Sequence, residues 1–379
     1  MKSKLSDICF YVKGKVDVSG LTDADYISTE NMLSNKGGIT TASSLPSTVQ
    51  TQAYKKDDVL VSNIRPYFKK IWFADFDGGC SNDVLVFRAK EDTDARFLYY
   101  VLADDAFFNY STATSKGTKM PRGDKTAIMQ YEVPHFDLPI QKKIAEILAD
   151  IDDKIALNSN INKNLEQQAQ AIFANEFLSL DTLPEGWKQA SLIDIADYLN
   201  GLAMQKYRPT ADESGIPVLK IKELRQGCCD DNSELCSPSI KSDYIIHDGD
   251  VIFSWSGSLL VDLWCGGICG LNQHLFKVTS SKYDKWFYYA WTKHHLDRFV
   301  AVAADKATTM GHIKRDELAK AEVLIPNEAD YNRIGALLQP IYEMIISNRI
   351  ENKKLAATRD TLLPKLMNGE IDMSEVDYE

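Results

Sequence analysis

The sequence lacks any uninterrupted apolar run long enough to span a bilayer. The nearest approach is "VIFSWSGSLLVDLWCGGICGL", Val251–Leu271, which carries Asp262, three serines and several glycines. A spanning helix needs roughly 20 apolar residues, so strand–turn–strand is expected there. The opening "MKSKLSDICF" has no apolar core region, so no secretory leader is expected. Seven cysteines form an odd set without framework spacing, which favours a reducing cytoplasm. Five of them, Cys228, Cys229, Cys236, Cys265 and Cys269, lie in the second half with His247 and His274. Zinc prefers CxxC-like spacing, which is absent, so thiols rather than a metal site are expected.

Catalytic signatures are missing too. There is no GxxxxGK[ST] phosphate loop; "TSKGTKM" comes nearest but lacks the first glycine and the lysine–hydroxyl pair. No GxSxG elbow occurs. The Pro-Pro-aromatic motif of amino-methyltransferases is absent, and no nuclease-type acidic constellation stands out. No catalysis by this chain is expected.

The net charge of −11 argues at first against a nucleic-acid partner. Its distribution softens that. Residues 1–137 hold 17 basic and 18 acidic side chains, and the closing "NGEIDMSEVDYE" holds five acidic ones. That closing stretch reads as a solvated acidic tail. Nearly neutral domains leave room for basic patches.

What the chain does have is a copy of itself, offset by about 190 residues. "LSDICFYVKGK" from Leu5 resembles "LIDIADYLNGL" from Leu192, and "DDVLVSN" from Asp57 matches "GDVIFSW" from Gly249. "FLYYVL" matches "WFYYAW", "SKGTKM" matches "DKATTM", and "FDLP" matches "VLIP", in the same order. Runs such as "DVLVSNI", "KKIWFA", "DVLVFRA", "DVIFSWS" and "QHLFKV" predict strands between Gly-rich turns. "ARFLYYVLADDAFFNY" predicts helix. The expected fold is α/β (α+β): two similar domains separated by two long antiparallel helices in a coiled coil, related by a pseudo-two-fold axis. The boundaries expected are 1–138 for the first domain, 139–178 for a central helix and 179–325 for the second domain. A C-terminal helix at 326–370 and the acidic tail at 371–379 complete them.

The helices carry heptad seams. Ile144, Leu148, Ile151, Ile155, Asn158, Asn162, Leu165, Ala169 and Ile172 alternate in steps of four and three. So do Ile334, Leu338, Ile341, Ile345, Asn348, Asn352, Leu355, Arg359, Leu362 and Leu366. Two asparagines interrupt each seam at matching places. In the register where partner numbers sum to 510, Asn158 faces Asn352 and Asn162 faces Asn348. An unpaired buried amide costs about 1–3 kcal/mol, so facing amides penalise a slip by one heptad. Alternatively the asparagines are solvated at a loose point or face a third protein. This register sets Arg359 against Ile151, and Pro340 should kink the second helix. A helix of roughly 30 residues is about 45 Å long, a little more than one DNA turn of about 34–36 Å. That length suits a ruler between two half-sites, and equally a plain scaffold.

Basic and aromatic residues in Gly-rich loops are the candidates for DNA contact. In the first domain they are Arg65, Tyr67, Lys69 and Lys70, then Lys116, Lys119 and Arg122. In the second they are Ser256 and Ser258 beside Trp255, then Lys306, Thr308, Thr309, His312, Lys314 and Arg315. Lysines neutralise phosphates; Arg, Ser, Thr and His reach base edges. Trp255 equally fits a core position.

The chain resembles the specificity subunits of type I restriction–modification systems. The likeness rests on "LPIQKKIAEILADIDDKIALNSNINKNLEQQAQAIF", "LPEGWKQASLIDIADYLNGL", "GIPVLKIKEL", "GDVIFSWSGSL" and "LAATRDTLLPKLMNGEID". It covers essentially the whole chain. The resemblance implies a non-catalytic subunit with two target-recognition domains, each reading one half of an interrupted, asymmetric double-stranded DNA target. Its helices would dock two methyltransferase subunits, with restriction subunits joining them and no membrane involved. S-adenosylmethionine, ATP and Mg would belong to those partners. The first domain has no clear counterpart of "GIPVLKIKEL", so the half-sites should differ. A duplicated protein-binding scaffold is the alternative.

Overall fold

The computed structural model describes residues 2–305 and 315–373. It divides into two compact units, Met1–Lys154 with Leu355–Glu379, and Ile155–Lys354. Among the described residues, no helix is long and apolar enough to cross a membrane.

In the first unit the N-terminal strand Lys2–Lys4 pairs antiparallel with Glu132–Pro134, tying the two ends of the lobe together. One four-stranded antiparallel sheet follows the order Cys9–Tyr11, Val84–Ala89, Val59–Ser62, Ile71–Phe73. A second runs Lys15–Asp17, Gln50–Tyr54, Gly78–Cys80, Tyr26–Ile27, its last pair parallel. The strand Val59–Ser62 is buried at every residue. Val59 and Val61 face a core with Phe97 and Val101, while Leu60 enters a smaller core with Ile27, Tyr54 and Val86. Both faces are covered, which is why "VLVS" is apolar almost throughout rather than alternating.

The second unit repeats this plan. Lys188–Ser191 pairs with Glu322–Ile325, and the first sheet runs Asp197–Asn200, Leu275–Thr279, Val251–Ser254, Leu260–Leu263. The stretch Val251–Leu271 is therefore three strands, including Cys269–Leu271. Again Val251 and Phe253 enter the main core and Ile252 the satellite one.

The other sheet corrects one expectation. "GIPVLKIKEL" does have a counterpart in the first lobe, "DYISTENM". Ile216–Leu219 lies parallel to Cys269–Leu271 as Tyr26–Ile27 lies parallel to Gly78–Cys80. A turn follows each. The Ser28 N–H donates to Asn31 Oδ1 at 2.6 Å, and the Lys220 N–H to Glu223 Oε2 at 3.3 Å. Asn31 and Glu223 are both buried. The sequences share only an apolar strand and a polar capping residue three positions on, too little to align. The lobes differ at the edges. The first adds Lys15–Asp17 beside Gln50–Tyr54, while the second adds Leu235–Cys236 beside Ile216–Leu219, at the opposite side of the sheet.

"ARFLYYVLADDAFFNY" forms two helices, Ala95–Ala103 and Asp105–Ala113, broken at Asp104, whose carboxylate accepts the Ala106 N–H. The equivalent break in the second lobe is His295, between Lys285–His294 and Leu296–Asp305. Its Nε2 lies 2.8 Å from the Glu322 carbonyl oxygen, and burial pushes its pKa down from 6.5 to about 4. The unfolded chain therefore takes up a proton there before the folded one does. The contribution is fully present above pH 6.5 and is lost as pH falls from about 6.5 to about 4. Urea titrations following tryptophan fluorescence should show this decline, and His295→Gln should flatten it; an unchanged slope would refute the assignment. Five of the six tryptophans, Trp187, Trp255, Trp264, Trp286 and Trp291, report on this unit.

The two long helices are Leu138–Phe173 and Glu328–Met367, and Pro340 does not interrupt the second. In the second unit Asn158 Nδ2 donates to Asn352 Oδ1 at 2.9 Å, and Asn348 Nδ2 donates to Asn162 Oδ1 at 2.9 Å. Partner numbers fall on one helix as they rise on the other, so the helices are antiparallel. Leu165, Ile345, Ile172 and Leu338 join the core of that unit. In the first unit Leu148, Leu362, Leu363 and Leu366 share a core. Arg359 does not waste its charge on Ile151. It reaches Asp152 at 2.7 Å, and the Tyr100 hydroxyl donates to the same carboxylate at 2.8 Å. The acidic tail is not wholly solvated either. Ile371 and Met373 pack on the first unit's core, and Lys143 Nζ donates to the Met373 carbonyl.

Candidate nucleic-acid interface

Three loops of the first lobe are stitched together by backbone hydrogen bonds. Val59–Ser62 runs straight into Asn63–Arg65 and a tight turn at Pro66–Phe68. The Arg65 N–H donates to Pro121 O at 2.8 Å, Gly123 N–H to Asn63 O at 3.1 Å, and Ile64 bridges Arg122. A third loop joins them, with Asn35 N–H on Phe68 O and Lys36 N–H on Lys69 O, both 2.8 Å. The two loops named from sequence, at 65–70 and 116–122, thus form one surface. Asn35 and Lys36 were missed; the only signal was the turn-like "SNKGG".

The surface is polarised by pairing. Lys36 and Lys69 hold Asp105 at 2.9 and 2.8 Å. Burial raises that carboxyl, but hydrogen bonds from Lys69 and Lys36 outweigh it and leave the pKa below the ordinary range. Arg122 pairs with Asp83 at 3.0 Å, and Lys116 with Asp124. The Lys116 hydrogen bond and the Ala127 and Thr126 N–H groups lower the Asp124 pKa. Lys70 is partly buried, which lowers its pKa, and Nζ donates to the Thr29 carbonyl at 2.6 Å. Tyr67 is 47% exposed and packs edge-on against Phe68. Lys119 is exposed beside Met120.

In the second lobe the matching turn holds Ser256, Gly257 and Ser258. Ser256 is buried, and its hydroxyl lies 3.1 Å from His274 Nδ1, so its side chain does not face solvent. The sequence cannot distinguish such a serine from an exposed one. Ser258 accepts from Arg225, at the end of the helix Ile221–Gln226. With Ile221, Lys222 and Gln226 they line a groove of about 520 Å³. Arg225 and Lys222 were missed from sequence, because nothing local brings them to Ser258. Trp255 packs on the main core and donates Nε1 to Asn200 at 3.0 Å. Arg315 is exposed, yet donates to Tyr198 O at 3.0 Å. Lys306, Thr308, Thr309, His312 and Lys314 lie outside the described residues.

Among the described residues no group of three or more His, Cys, Asp or Glu is placed to hold a metal. Cys236, Cys265 and Cys269 are buried thiols, while Cys228 and Cys229 are partly exposed. Burial pushes the Cys265 thiol up to about 11.

Comparison with known proteins agrees with this duplicated plan. A crystal structure of a type I restriction–modification system S subunit from M. genitalium superposes with a TM-score of 0.59 at 14% identity, covering 99% of this chain and 96% of that one. It shares the fold. The MjaIX specificity subunit of Methanocaldococcus jannaschii is 26% identical over 312 residues, 76% of this chain and 71% of the relative. The HindI specificity subunit of Haemophilus influenzae is 22% identical, covering 97% of this chain and 98% of its own length. A family profile described as "Type I restriction modification DNA specificity domain" matches twice, at residues 1–167 and 184–357. The chain belongs to the family of type I restriction–modification DNA specificity proteins.

Proposed function

We propose that this chain is the non-catalytic DNA specificity subunit of a type I restriction–modification complex, one lobe reading each half of a bipartite target. The observation that carries the assignment of surfaces is the backbone stitching of the first lobe's basic loops, Ile64 to Arg122 and Arg65 to Pro121. Lys69, Lys70, Lys116, Lys119 and Arg122 supply phosphate neutralisation there, and Arg65 and Tyr67 reach towards bases. In the second lobe Ser258 and Arg225 are the described pair assigned to DNA contact and Arg315 is a further described candidate; Lys306, Thr308, Thr309, His312 and Lys314, outside the described residues, are proposed with them. Ser256 acts by fixing the turn. The helices dock methyltransferase subunits, restriction subunits join them, and S-adenosylmethionine, ATP and Mg are held by those partners in the cytoplasm.

Exchanging residues 1–138 for another lobe of the family should change one half of the methylated target and leave the other intact. Genome-wide mapping of methylated adenine in cells with and without the exchanged chain reads this directly. Binding should also weaken steeply with salt, as phosphate neutralisation requires. A chain with no preference among duplexes, even with its methyltransferase partner, would favour the protein-binding scaffold instead.

A further inference from the structure

Backbone strain in the first lobe is concentrated on the stitched surface. Among the described residues five non-glycine residues have positive φ, and four of them, Asn35 (56°), Lys36 (61°), Arg65 (50°) and Lys69 (51°), belong to it. The fifth, Asp57 (69°), lies in the turn just before the strand leading there. Left-handed backbone disfavours any side chain beyond glycine. The repeat supplies an internal control. Asp57 corresponds to Gly249 (φ 88°), and Arg65 to Gly257 (φ 66°), each 192 residues on. The turn therefore demands the left-handed conformation in both lobes. The second lobe meets the demand with glycine, at no steric cost. The first keeps an arginine there.

Folding does not explain that arginine. Its guanidinium makes no hydrogen bond and no ion pair among the described residues, unlike Lys69, Lys70, Lys116 and Arg122. Its Nε is enclosed without a partner, whereas the two terminal nitrogens are not enclosed. The charge sits 6.0 Å from the Phe68 ring centre, which steadies the fork without satisfying a donor. Beside it Asn63 is buried and its Oδ1 also lacks a partner. We infer that Arg65 is the first lobe's guanine reader, its fork held for O6 and N7 in the major groove, and that the second lobe's equivalent position, Gly257, supplies no such reader. This rests on the DNA-recognition reading above. Arginine to guanine is the pairing a rigid planar fork matches best.

The test uses the chain assembled with its methyltransferase partner and duplexes carrying the target mapped by adenine methylation. Arg65→Gly should leave the hydrogen-exchange protection of Val59–Ser62 intact or raised. It should lower specific affinity by about 10-fold or more, with discrimination lost at one guanine in one half-site only. Arg65→Lys should lose the same discrimination but retain the salt dependence. Replacing that guanine by 7-deazaguanine should weaken the wild-type complex and leave Arg65→Gly unaffected. Full discrimination by Arg65→Gly overturns the inference, as does a uniform loss across all sequences, which is the behaviour of a phosphate contact. A wild-type complex without preference overturns the recognition reading together with it.

Discussion

Asp58→Ala should destabilise the first unit by about 2–4 kcal/mol. Asp58 is 1% exposed and accepts three hydrogen bonds. Two come from Arg88, Nε at 2.7 Å and Nη2 at 2.8 Å, and one from the Lys55 N–H at 2.7 Å. Removing one partner of a fully buried ion pair costs about 3–5 kcal/mol. The expectation is lower because the Arg88 side chain keeps 34% of its surface in water and can rehydrate. Asp58→Asn should cost less, since an amide oxygen still accepts from Lys55.

The repeat again provides the control. Asp250 accepts from the His247 N–H at 2.9 Å and pairs with Lys277 at 2.9 Å, but the Asp250 side chain is 23% exposed and the lysine makes a point contact. Asp250→Ala should therefore be milder. Hydrogen exchange on Val59–Ser62 and Val251–Ser254 separates the two lobes. Equal losses in both would show that the bidentate geometry adds nothing. The consequence reaches function, because Asp58 immediately precedes the strand Val59–Ser62, which delivers Asn63 and Arg65 to the stitched surface.

What could be read from the sequence was whatever repeats or is periodic. The seam of the long helices was legible because heptad spacing places a side chain on a face without knowledge of anything distant, and the paired asparagines mark the register. The loop at Arg65 was legible because "DDVLVSN" and "GDVIFSW" align. Contacts made across the fold left no such trace. Lys36 meets Lys69 through a backbone bond between loops some thirty residues apart, and Arg225 meets Ser258 from a helix on another sheet. Neither juxtaposition has a period. The match of Tyr26–Ile27 to Ile216–Leu219 was hidden because strand pairing constrains burial rather than identity. Burial itself was hidden at Ser256, whose small side chain is equally at home inside or out.

Replacing Asn158 and Asn162 together by leucine should destabilise the helix pair of the second unit by about 2–4 kcal/mol, less than twice the cost of one orphaned amide. Asn348 and Asn352 would then face leucine. Asn352 retains partial relief, since its Nδ2 also lies 3.2 Å from Ile155 O and 3.2 Å from Ser159 Oγ. Replacing all four asparagines by leucine should recover most of that stability, because no polar group is left unpaired. What the fourfold variant should lose is discrimination between registers, as a slip by one heptad then sets leucine against isoleucine at all four replaced positions. The Arg349 bonds to Glu166 and Asp262, 2.9 and 2.8 Å, still oppose the slip, so a minority population is expected. Disulfide trapping reads it. Cysteines at Leu165 and Ile345 report the native register, whose numbers sum to 510, and cysteines at Leu165 and Leu338 report the slipped one. Crosslinking of the second pair in the fourfold variant, and its absence with the asparagines present, is the expected pattern. If the fourfold variant traps only the native pair, the amides do not set the register and the lobes or Arg349 do.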